Sequence, residues 1–426
     1  MSLAVVKSDP LANRLASSDH VTAGWTAPAR AEALARLTAM GLPGRRDEYW
    51  RYTRPDALNA AMPLPAMDFR SDEVPVFDAV DRLRIVFIDG VFSEADSDPL
   101  DVAGIRVERL ADVQGADIHW AQDLYGTLEA KGQHPVARPF AALATATATD
   151  GVLIHVTGRA LRPVSLIYRH NAATSDAVLH HVIRLDPGAA LTLLENGPGA
   201  ARFTTLMEVD VGEGAAFHHI RAQGRDRDRH AATHLFARVA AAALFKSFTL
   251  TVNGRLTRNE AVIDLLGDGG VAHIAGAALG DGAFMHDDTV FMTHDAVGCE
   301  SRQVFKKVLR NGAVGVFQGK ILVKQGAQKT DGYQISQSLL LDEDSQFLAK
   351  PELEIYADDV ACSHGSTSGA IDETALYYLR SRGVPRKEAV DLLVLSFVAE
   401  ALAEIADDDL REDIADRLRG WLARRA

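Results

Sequence analysis

The sequence predicts a mainly β protein whose strand-rich body lies between helical ends. From about residue 82, short apolar or alternating runs recur, and Gly, Asp or Asn closes each of them. Their spacing of roughly 8–14 residues is typical of all-β bodies, and few helical stretches interrupt them. The first ~60 residues and those after residue 371 instead have helical patterns. We therefore expect an N-terminal helical region with a linker over 1–75, a strand core over 76–370 and a C-terminal helical region over 371–426.

The N-terminal region has one clear helix and a linker. Residues 29–40 are rich in strong helix formers, and Gly41 and Pro43 are expected to end this helix. Residues 61–75 are punctuated by proline and aspartate, which predicts a connecting segment.

The strand core has two candidate architectures, a pair of sandwiches and a β-solenoid. Asn-Gly and Asp-Gly hairpin dipeptides are few for so many strands, and the run is too long for one sandwich. Solenoid coils stack, each burying its apolar face against the next. These observations favour the solenoid. Because no fixed-period motif is visible, they do not exclude the sandwiches. The predicted strands include 84–88, 152–156, 164–168, 181–185, 191–194, 248–252, 262–266 and 319–323.

The C-terminal region predicts consecutive helices. Asp372 is a candidate N-cap, Gly383 ends the first helix, and Pro385 suits the first turn of the next. Apolar residues over 387–405 form two stripes on different sides of that helix. Such a helix either packs twice within its own domain or shares one side with a partner. The first stripe holds Ala389, Leu392, Leu393, Phe397, Ala401 and Ile405, and the second Val394, Val398 and Leu402.

Composition restricts the function class. The 426 residues hold 45 basic and 58 acidic side chains, a formal charge of −13, which argues against nucleic-acid binding and anionic membrane surfaces. Two cysteines cannot build a disulfide framework, and the N-terminus shows no signal-peptide pattern, so we expect a cytoplasmic protein. The longest apolar run, 239–245, is too short to span a bilayer.

The segment 351–372 carries the main candidate site. If it is extended, Cys362 and His364 lie on one face and Ser363 on the other. A thiolate and an imidazole on one face can share a metal or a sulfide-bearing cluster. The alternative is structural, with Cys362 as a small buried hydrophobe and His364 as a hydrogen-bonded residue. Two ligands cannot close a tetrahedral site, so further ligands would come from elsewhere, such as another chain.

Other potential sites are weaker. The adjacent His218 and His219 face opposite sides of a strand and cannot chelate together. The chain has no phosphate-loop pattern, no dinucleotide loop and no Gly-x-Ser-x-Gly elbow, which argues against an ATPase or a serine hydrolase. Another set of potential metal ligands does not match the spacing of known zinc sites, so a structural role is the better interpretation than metal binding. Its members are His286, Asp287, Asp288, His294 and Cys299.

Three segments resemble the SufB/SufD family of iron–sulfur cluster assembly proteins. Residues 351–372, continued by Tyr377-Tyr378-Leu379-Arg380-Ser381-Arg382-Gly383, resemble the family signature, and 316–321 followed by 326–334 resemble its middle block. Residues 41–53, including Arg45-Arg46-Asp47-Glu48-Tyr49-Trp50-Arg51-Tyr52-Thr53, resemble the entry of the SufD branch. The resemblance implies a right-handed parallel β-helix, flanked by N- and C-terminal helical regions.

The resemblance also implies partners and site residues. In this family SufB and SufD form a heterodimer, each binds a SufC ATPase through its C-terminal helices, and a nascent cluster forms at the SufB–SufD interface. Carried over by motif, His364 with Cys362 beside it provides interface ligands for that transient cluster, and no stable cluster is expected on the isolated chain. The helix bearing Leu393, Phe397 and Leu402 is expected to dock the ATPase. A homodimer in isolation is an open alternative.

We therefore expect a non-catalytic scaffold subunit of a SufB–SufC–SufD type complex. A β-helical enzyme acting on a polysaccharide or acyl substrate is the second hypothesis, because solenoids often bind extended ligands along one face. Aromatic residues make up only 7% of the chain, and no paired carboxylates stand out at glycosidase positions. These observations favour the scaffold.

Overall fold

Two facing ten-stranded sheets form the body of the protein. The computed structural model describes residues 10–16, 23–67, 74–224 and 226–424. Sheet A has the strand order β2-β1-β6-β8-β10-β12-β14-β16-β18-β20, and sheet B the order β19-β17-β15-β13-β11-β9-β7-β5-β4-β3. From β5 onward, successive strands alternate between the sheets, and each pair makes one coil of a β-solenoid. The predicted β-helix core is confirmed, and the pair of sandwiches is excluded.

The strands and helices have the following bounds. The strands are β1 Leu83–Ile88, β2 Val91–Phe92, β3 Asp101–Val102, β4 Ile105–Arg109, β5 Val152–Val156, β6 Val164–Arg169, β7 Asp176–Leu185, β8 Ala190–Asn196, β9 Arg202–Val211, β10 Ala216–Gln223, β11 His230–Val239, β12 Leu244–Val252, β13 Leu256–Leu265, β14 Val271–Asp281, β15 Met285–His294, β16 Glu300–Arg310, β17 Val314–Val323, β18 Asp331–Leu340, β19 Gln346–Ile355 and β20 Ala361–Gly369. The helices are α1 Pro10–Leu15, α2 Ala27–Met40, α3 Asp56–Asn59, α4 Leu110–Val113, α5 Thr127–Lys131, α6 Pro139–Thr147, α7 Glu373–Ser381, α8 Arg386–Leu402 and α9 Asp408–Ala423, with 3-10 turns at Glu48–Trp50 and Glu94–Asp96.

The coils stack in parallel and in continuous register. In sheet A, Ala216 pairs with Leu244, Leu244 with Val271, and the same column continues through Glu300 to later coils. At the first end, β1–β2, β3–β4 and β4–β5 pair antiparallel and close the sheets. At the other end, β19 and β20 each have a strand on one side only. The two ends of the solenoid therefore differ.

Each predicted strand overlaps an observed strand, and most of the predictions are shorter than the strand observed. The 152–156 prediction matches β5, and the 262–266 prediction overruns the end of β13 by Leu266. The 319–323 prediction covers only the second half of β17, because buried polar residues such as Gln318 continue the strand. A sequence rule that looks for apolar runs stops where such residues begin.

Helices cover the outer faces of both sheets. Between β4 and β5, the chain forms a helical layer that the sequence analysis did not predict. This layer includes α6, in which every residue is buried between α2 and sheet B. This helix has no polar face, so amphipathic spacing could not identify it. On sheet A, Val394 and Val398 of α8 and Ile414 of α9 pack against strand residues such as Phe248 and Val304.

The N-terminal segment is anchored on sheet B by a buried arginine. Arg258 donates to the carbonyl oxygen of Tyr49 at 2.9 Å and pairs with Asp287. Its guanidinium lies 4.1 Å from the ring centroid of Trp50, and Thr53 Oγ1 donates to Asp287 at 2.5 Å. The 3-10 turn and the residues after it are therefore held to β13 and β15 by charge-assisted hydrogen bonds.

The C-terminal helices begin and end near the predicted residues. The Asp372 side chain accepts from the backbone nitrogens of Thr374 at 2.8 Å and Ala375 at 3.2 Å, which confirms the N-cap. Gly383 has a φ of +85°, and α8 begins directly after Pro385. None of the helices in the described part of the chain is long and apolar enough to cross a membrane.

Two neighbouring coils approach so closely at Gly151 that a larger residue there should destabilise the fold. A Cβ on Gly151 would lie 1.8 Å from the carbonyl oxygen of His180 in β7, whereas one on Gly158 would meet nothing within 4 Å. We expect Gly151→Ala to lower the free energy of unfolding by about 1–3 kcal/mol or more. The control Gly158→Ala should stay within about 0.5 kcal/mol of the unaltered chain. Denaturant unfolding measures both, and equal stability of the two variants would contradict the packing.

Candidate functional site

Cys362 and His364 lie on one face of the last strand. β20 pairs in parallel with β18, so that Cys362 is opposite Gly332 and His364 is opposite Gln334. Cys362 packs against the core between the two sheets, and strand alternation puts His364 on the same face. Ser363 is opposite Tyr333, which belongs to the outer face. The predicted extended segment and its shared face are confirmed.

This strand is the open edge of sheet A. Within the described chain, no strand pairs with the second edge of β20, and the same holds for β19 in sheet B. The backbone donors and acceptors along these two edges are available to another strand. The candidate ligands therefore lie at the uncapped end of the solenoid.

The Cys362 thiol is half-buried and reduced. No disulfide involves it, and burial raises its pKa above the ordinary value. The neighbouring Gly332 makes room for the thiol, because a Cβ on that residue would lie 3.2 Å from Sγ. The thiol is thus protonated near neutral pH, and metal binding would release its proton.

The His364 ring is exposed and makes no hydrogen bond to any residue in the described ranges. Behind it, the buried Gln334 donates from Nε2 to Gln303 Oε1 at 2.9 Å, while its own Oε1 has no partner there. The ring is not committed to a structural role. Its free nitrogens can bind a metal or a partner group.

The two side chains form an incomplete ligand set. The described part of the chain contains no group of three or more His, Cys, Asp or Glu side chains placed to hold a metal. A soft thiolate and an imidazole are suitable ligands for iron, but a cluster takes about four. Any cluster bound here would need further ligands from outside the described chain.

The Cys299 group does not converge on one point. Cys299 is fully buried in the core and donates from Sγ to the carbonyl oxygen of Gly267 at 3.3 Å. Inside the coil, Lys307 Nζ donates to His286 Nδ1 at 2.7 Å and to Asp288 Oδ2 at 2.6 Å. The structural interpretation holds for this group, because Asp287 points to the outer face and pairs with Arg258 instead.

The solenoid interior holds a buried polar network that the sequence reasoning missed. Glu195 Oε2 accepts from Arg221 Nε at 2.7 Å and lies 2.7 Å from His219 Nε2. Arg221, His219 and His181 hold the pKa of Glu195 below its usual range against the effect of burial. Arg221 also donates to Thr233 Oγ1 at 2.9 Å, across to sheet B. Polar side chains therefore face inward, where simple alternation predicts apolar ones.

The two histidines of the adjacent pair face opposite sides, as the sequence predicts. His219 lies inside the coil, and His218 lies on the outer face beside Asp407 and Leu410 of the C-terminal helices. They cannot bind one ion together. His230 and His234 lie on the outer side of sheet B, and burial lowers the pKa of each to about 4.

The predicted docking residues differ in exposure. Leu402 is buried in the packing of α8 on sheet A, so it stabilises the fold and is not accessible. Leu393 and Phe397 are half-buried, and the Phe397 ring lies 5.1 Å from Lys306 Nζ. The exposed apolar side chains on these helices are different ones, with Tyr377 76%, Tyr378 56% and Leu392 46% exposed.

Comparisons with known proteins agree with these features. Residues 168–397 match the family model described as SUF system FeS cluster assembly, SufBD core domain. The chain is 29% identical over 411 residues to the iron-sulfur cluster assembly protein SufD of Escherichia coli, which covers 92% of each chain. It is 25% identical over 393 residues to an iron-sulfur cluster assembly SufBD family protein of Synechocystis, covering 87% of this chain and 85% of that protein. For SufD of Bacillus subtilis the identity is 26% over 260 residues, 59% of each chain.

The environment of the two thiols predicts their reactivity. A raised pKa means a smaller thiolate fraction at pH 7, so Cys362 should react with iodoacetamide more slowly than free cysteine, with a rate that rises through pH 9 and above. Cys299 should react only on unfolding. Mass spectrometry of Cys299→Ser and Cys362→Ser assigns the sites. Rapid, pH-independent alkylation of Cys362 near pH 7 would contradict this environment.

Proposed function

Because the chain belongs to the SufB/SufD family of iron–sulfur cluster assembly proteins, we propose that it is a non-catalytic, SufD-like scaffold subunit of a cytoplasmic SufB–SufC–SufD type complex. Its role is to present His364, with Cys362 beside it, to a nascent cluster shared with a SufB-like paralogue. One observation carries the proposal: two side chains of types that bind iron share a face of an edge strand whose second edge has no partner in the described chain.

The incomplete ligand set supports a shared site. His364 is exposed and without a hydrogen bond in the described chain, and the Cys362 thiol is two residues away on the same face. With two ligands from this chain, the partner supplies the others. The cluster is then cargo that forms at the interface and leaves it, and the isolated chain holds none stably.

The open edges of β19 and β20 support association with a paralogous chain. Both edges lie at the same end of the solenoid, so a partner with a similar end can continue both sheets through backbone hydrogen bonds. Such pairing brings the partner's side chains next to those of β20. It also satisfies backbone groups that would otherwise depend on water.

The C-terminal helices are the proposed docking element for a SufC-type ATPase. They expose Tyr377 and Tyr378 on α7 and Leu392 on α8, while Leu393 and Phe397 are partly accessible. Exposed aromatic side chains are enriched at interaction sites. The opposite side of α8 packs on β14 and β16 of sheet A, so a force on the docked helices acts directly on the strands.

We expect His364 to contribute more to cluster assembly than Cys362. In the reconstituted complex, His364→Ala should reduce retained iron and acid-labile sulfide by about tenfold or more, since an iron ligand is lost, while subunit co-elution is unchanged. Cys362→Ser should have a smaller effect. Ser363→Ala is the matched control, because it changes the adjacent residue on the opposite face. Equal iron and sulfide contents for His364→Ala and the unaltered chain would remove this site from the mechanism.

We expect Leu392→Asp to weaken ATPase binding without unfolding the chain. The side chain is 46% exposed, so a charge there is compatible with the fold but not with an apolar interface. Leu161→Asp, at an 82% exposed position outside the helices, is the control. A point variant is preferable to deleting α8, which would uncover sheet A. Pull-down with a SufC-type ATPase measures the effect, and unchanged affinity in both Leu392→Asp and Tyr377→Ala would exclude this surface.

A further inference from the structure

A second site lies on sheet A, away from β20. A cleft of about 510 Å³ lies between the C-terminal ends of β6 and β12, the segment before β1, and Arg417 of α9. This volume is within the range of small-molecule sites. Strands β14, β16 and β18 separate β12 from β20 in the sheet, so the cleft is distinct from the candidate cluster site.

The cleft combines an apolar floor with a basic rim. Ile167, Ala222, Leu250 and Val252 of sheet A form the floor. Among the described residues that line the cleft, Asp78 is the one carboxylate, against four guanidinium groups, those of Arg82, Arg84, Arg169 and Arg417. Asp98 and Asp96 bond to Arg84 and Arg169 from outside the lining, so it is the lining itself, and not its wider surroundings, that is rich in positive charge.

Arg82 is a buried cation with incomplete compensation. It is 7% exposed, and its Nη1 donates to the carbonyl oxygen of Val80 at 3.1 Å. The Asp78 carboxylate is 4.0 Å away, and Nε has no hydrogen-bond partner in the described structure. Burial lowers the pKa of Arg82. A buried guanidinium without a close counter-charge is costly, and a bound anion would offset that cost.

Two further buried polar groups of the cleft lack partners in the described structure. His170 is 4% exposed; its Nε2 donates to the carbonyl oxygen of Ala172 at 2.9 Å, and its Nδ1 has no partner. Asn196 is 9% exposed, and its Oδ1 has none. Buried polar atoms are normally satisfied, so these three residues give the cleft a polar wall whose hydrogen bonds are incomplete.

Two of the rim arginines, Arg84 and Arg169, are held in place by carboxylates outside the cleft. Arg84 bonds the Asp98 carboxylate through Nε at 3.2 Å and Nη2 at 2.8 Å, and Arg169 Nη1 bonds Asp96 Oδ1 at 2.8 Å. These carboxylates are not part of the cleft lining. They hold the guanidinium groups at the rim and leave other donors for a ligand.

We propose that this cleft binds a small phosphorylated molecule with a planar or apolar body, about the size of a mononucleotide. The guanidinium groups recognise the phosphate, for which their forked donors and charge are suited. The body lies on the apolar floor formed by β6, β10 and β12. This ligand bridges α9 and the solenoid, independently of the cluster chemistry at β20.

Isothermal titration of the full chain at constant ionic strength tests the proposal. The probes are AMP, GMP and CMP, with inorganic pyrophosphate and adenosine as separate head and body probes. We expect one saturable site per chain for at least one mononucleotide, and weaker binding of pyrophosphate and of adenosine. No saturable binding of any of the three mononucleotides overturns the proposal.

Variants distinguish a ligand site from a structural cluster. Arg82→Met and Arg169→Gln should each weaken mononucleotide binding at least tenfold, whereas the control Arg106→Gln, outside the cleft, should not change it. Arg82→Met should not lower the Tm of the ligand-free chain, because Arg82 is poorly compensated there. A lowered Tm with unchanged binding in Arg82→Met, or unchanged binding in Arg169→Gln, overturns the assignment. The half-exposed Arg169 keeps the test valid if Arg82→Met fails to fold.

Discussion

The structure depends on the parallel stacking of coils in register. Each strand from β6 to β18 pairs with a strand of the coil before it and with a strand of the coil after it. Buried backbone groups need partners, so such a stack is stable only where something ends it. Antiparallel strands end it near β1 and β4, but nothing in the described chain ends it at β19 and β20. The last coil therefore presents the unpaired edges of both sheets, and Cys362 and His364 lie there.

The same register arranges charge. Residues one coil apart become neighbours, and opposite charges recur at that separation: Asp210 and Arg238, 28 residues apart, meet at 2.7 Å, and Asp281 and Arg310, 29 apart, meet at 2.7 Å. Inside the coil, Glu195 and Arg221, 26 residues apart, form such a pair in the buried interior. A buried charge is tolerated only with a close counter-charge and hydrogen bonds. The nearest carboxylate to Arg82, that of Asp78, is 4.0 Å away, and this weaker compensation supports the proposed ligand site.

The helical layers connect the sites to the solenoid. On sheet A, the inner side of α8 packs on β14 and β16 through Val394 and Val398, and its outer side exposes Leu392. α9 reaches the arginine-lined cleft through Arg417. The proposed docking surface, the cleft and the last strands are thus parts of one packed unit rather than separate modules.

Features that depend on local backbone geometry could be predicted from the residues alone. Strand positions, the Asp372 cap and the common face of Cys362 and His364 follow from the two-residue period and from capping chemistry, and the structure confirms them. Which strands stack could not be predicted from the residues. Side chains about 28 residues apart form ion pairs in the structure, but no motif repeats at that spacing in the sequence. The tertiary structure also decided that α6 is buried on every side, that Leu402 belongs to the core and that distant arginines meet in one cleft. These outcomes arise from long-range packing, to which the local pattern of a segment is insensitive.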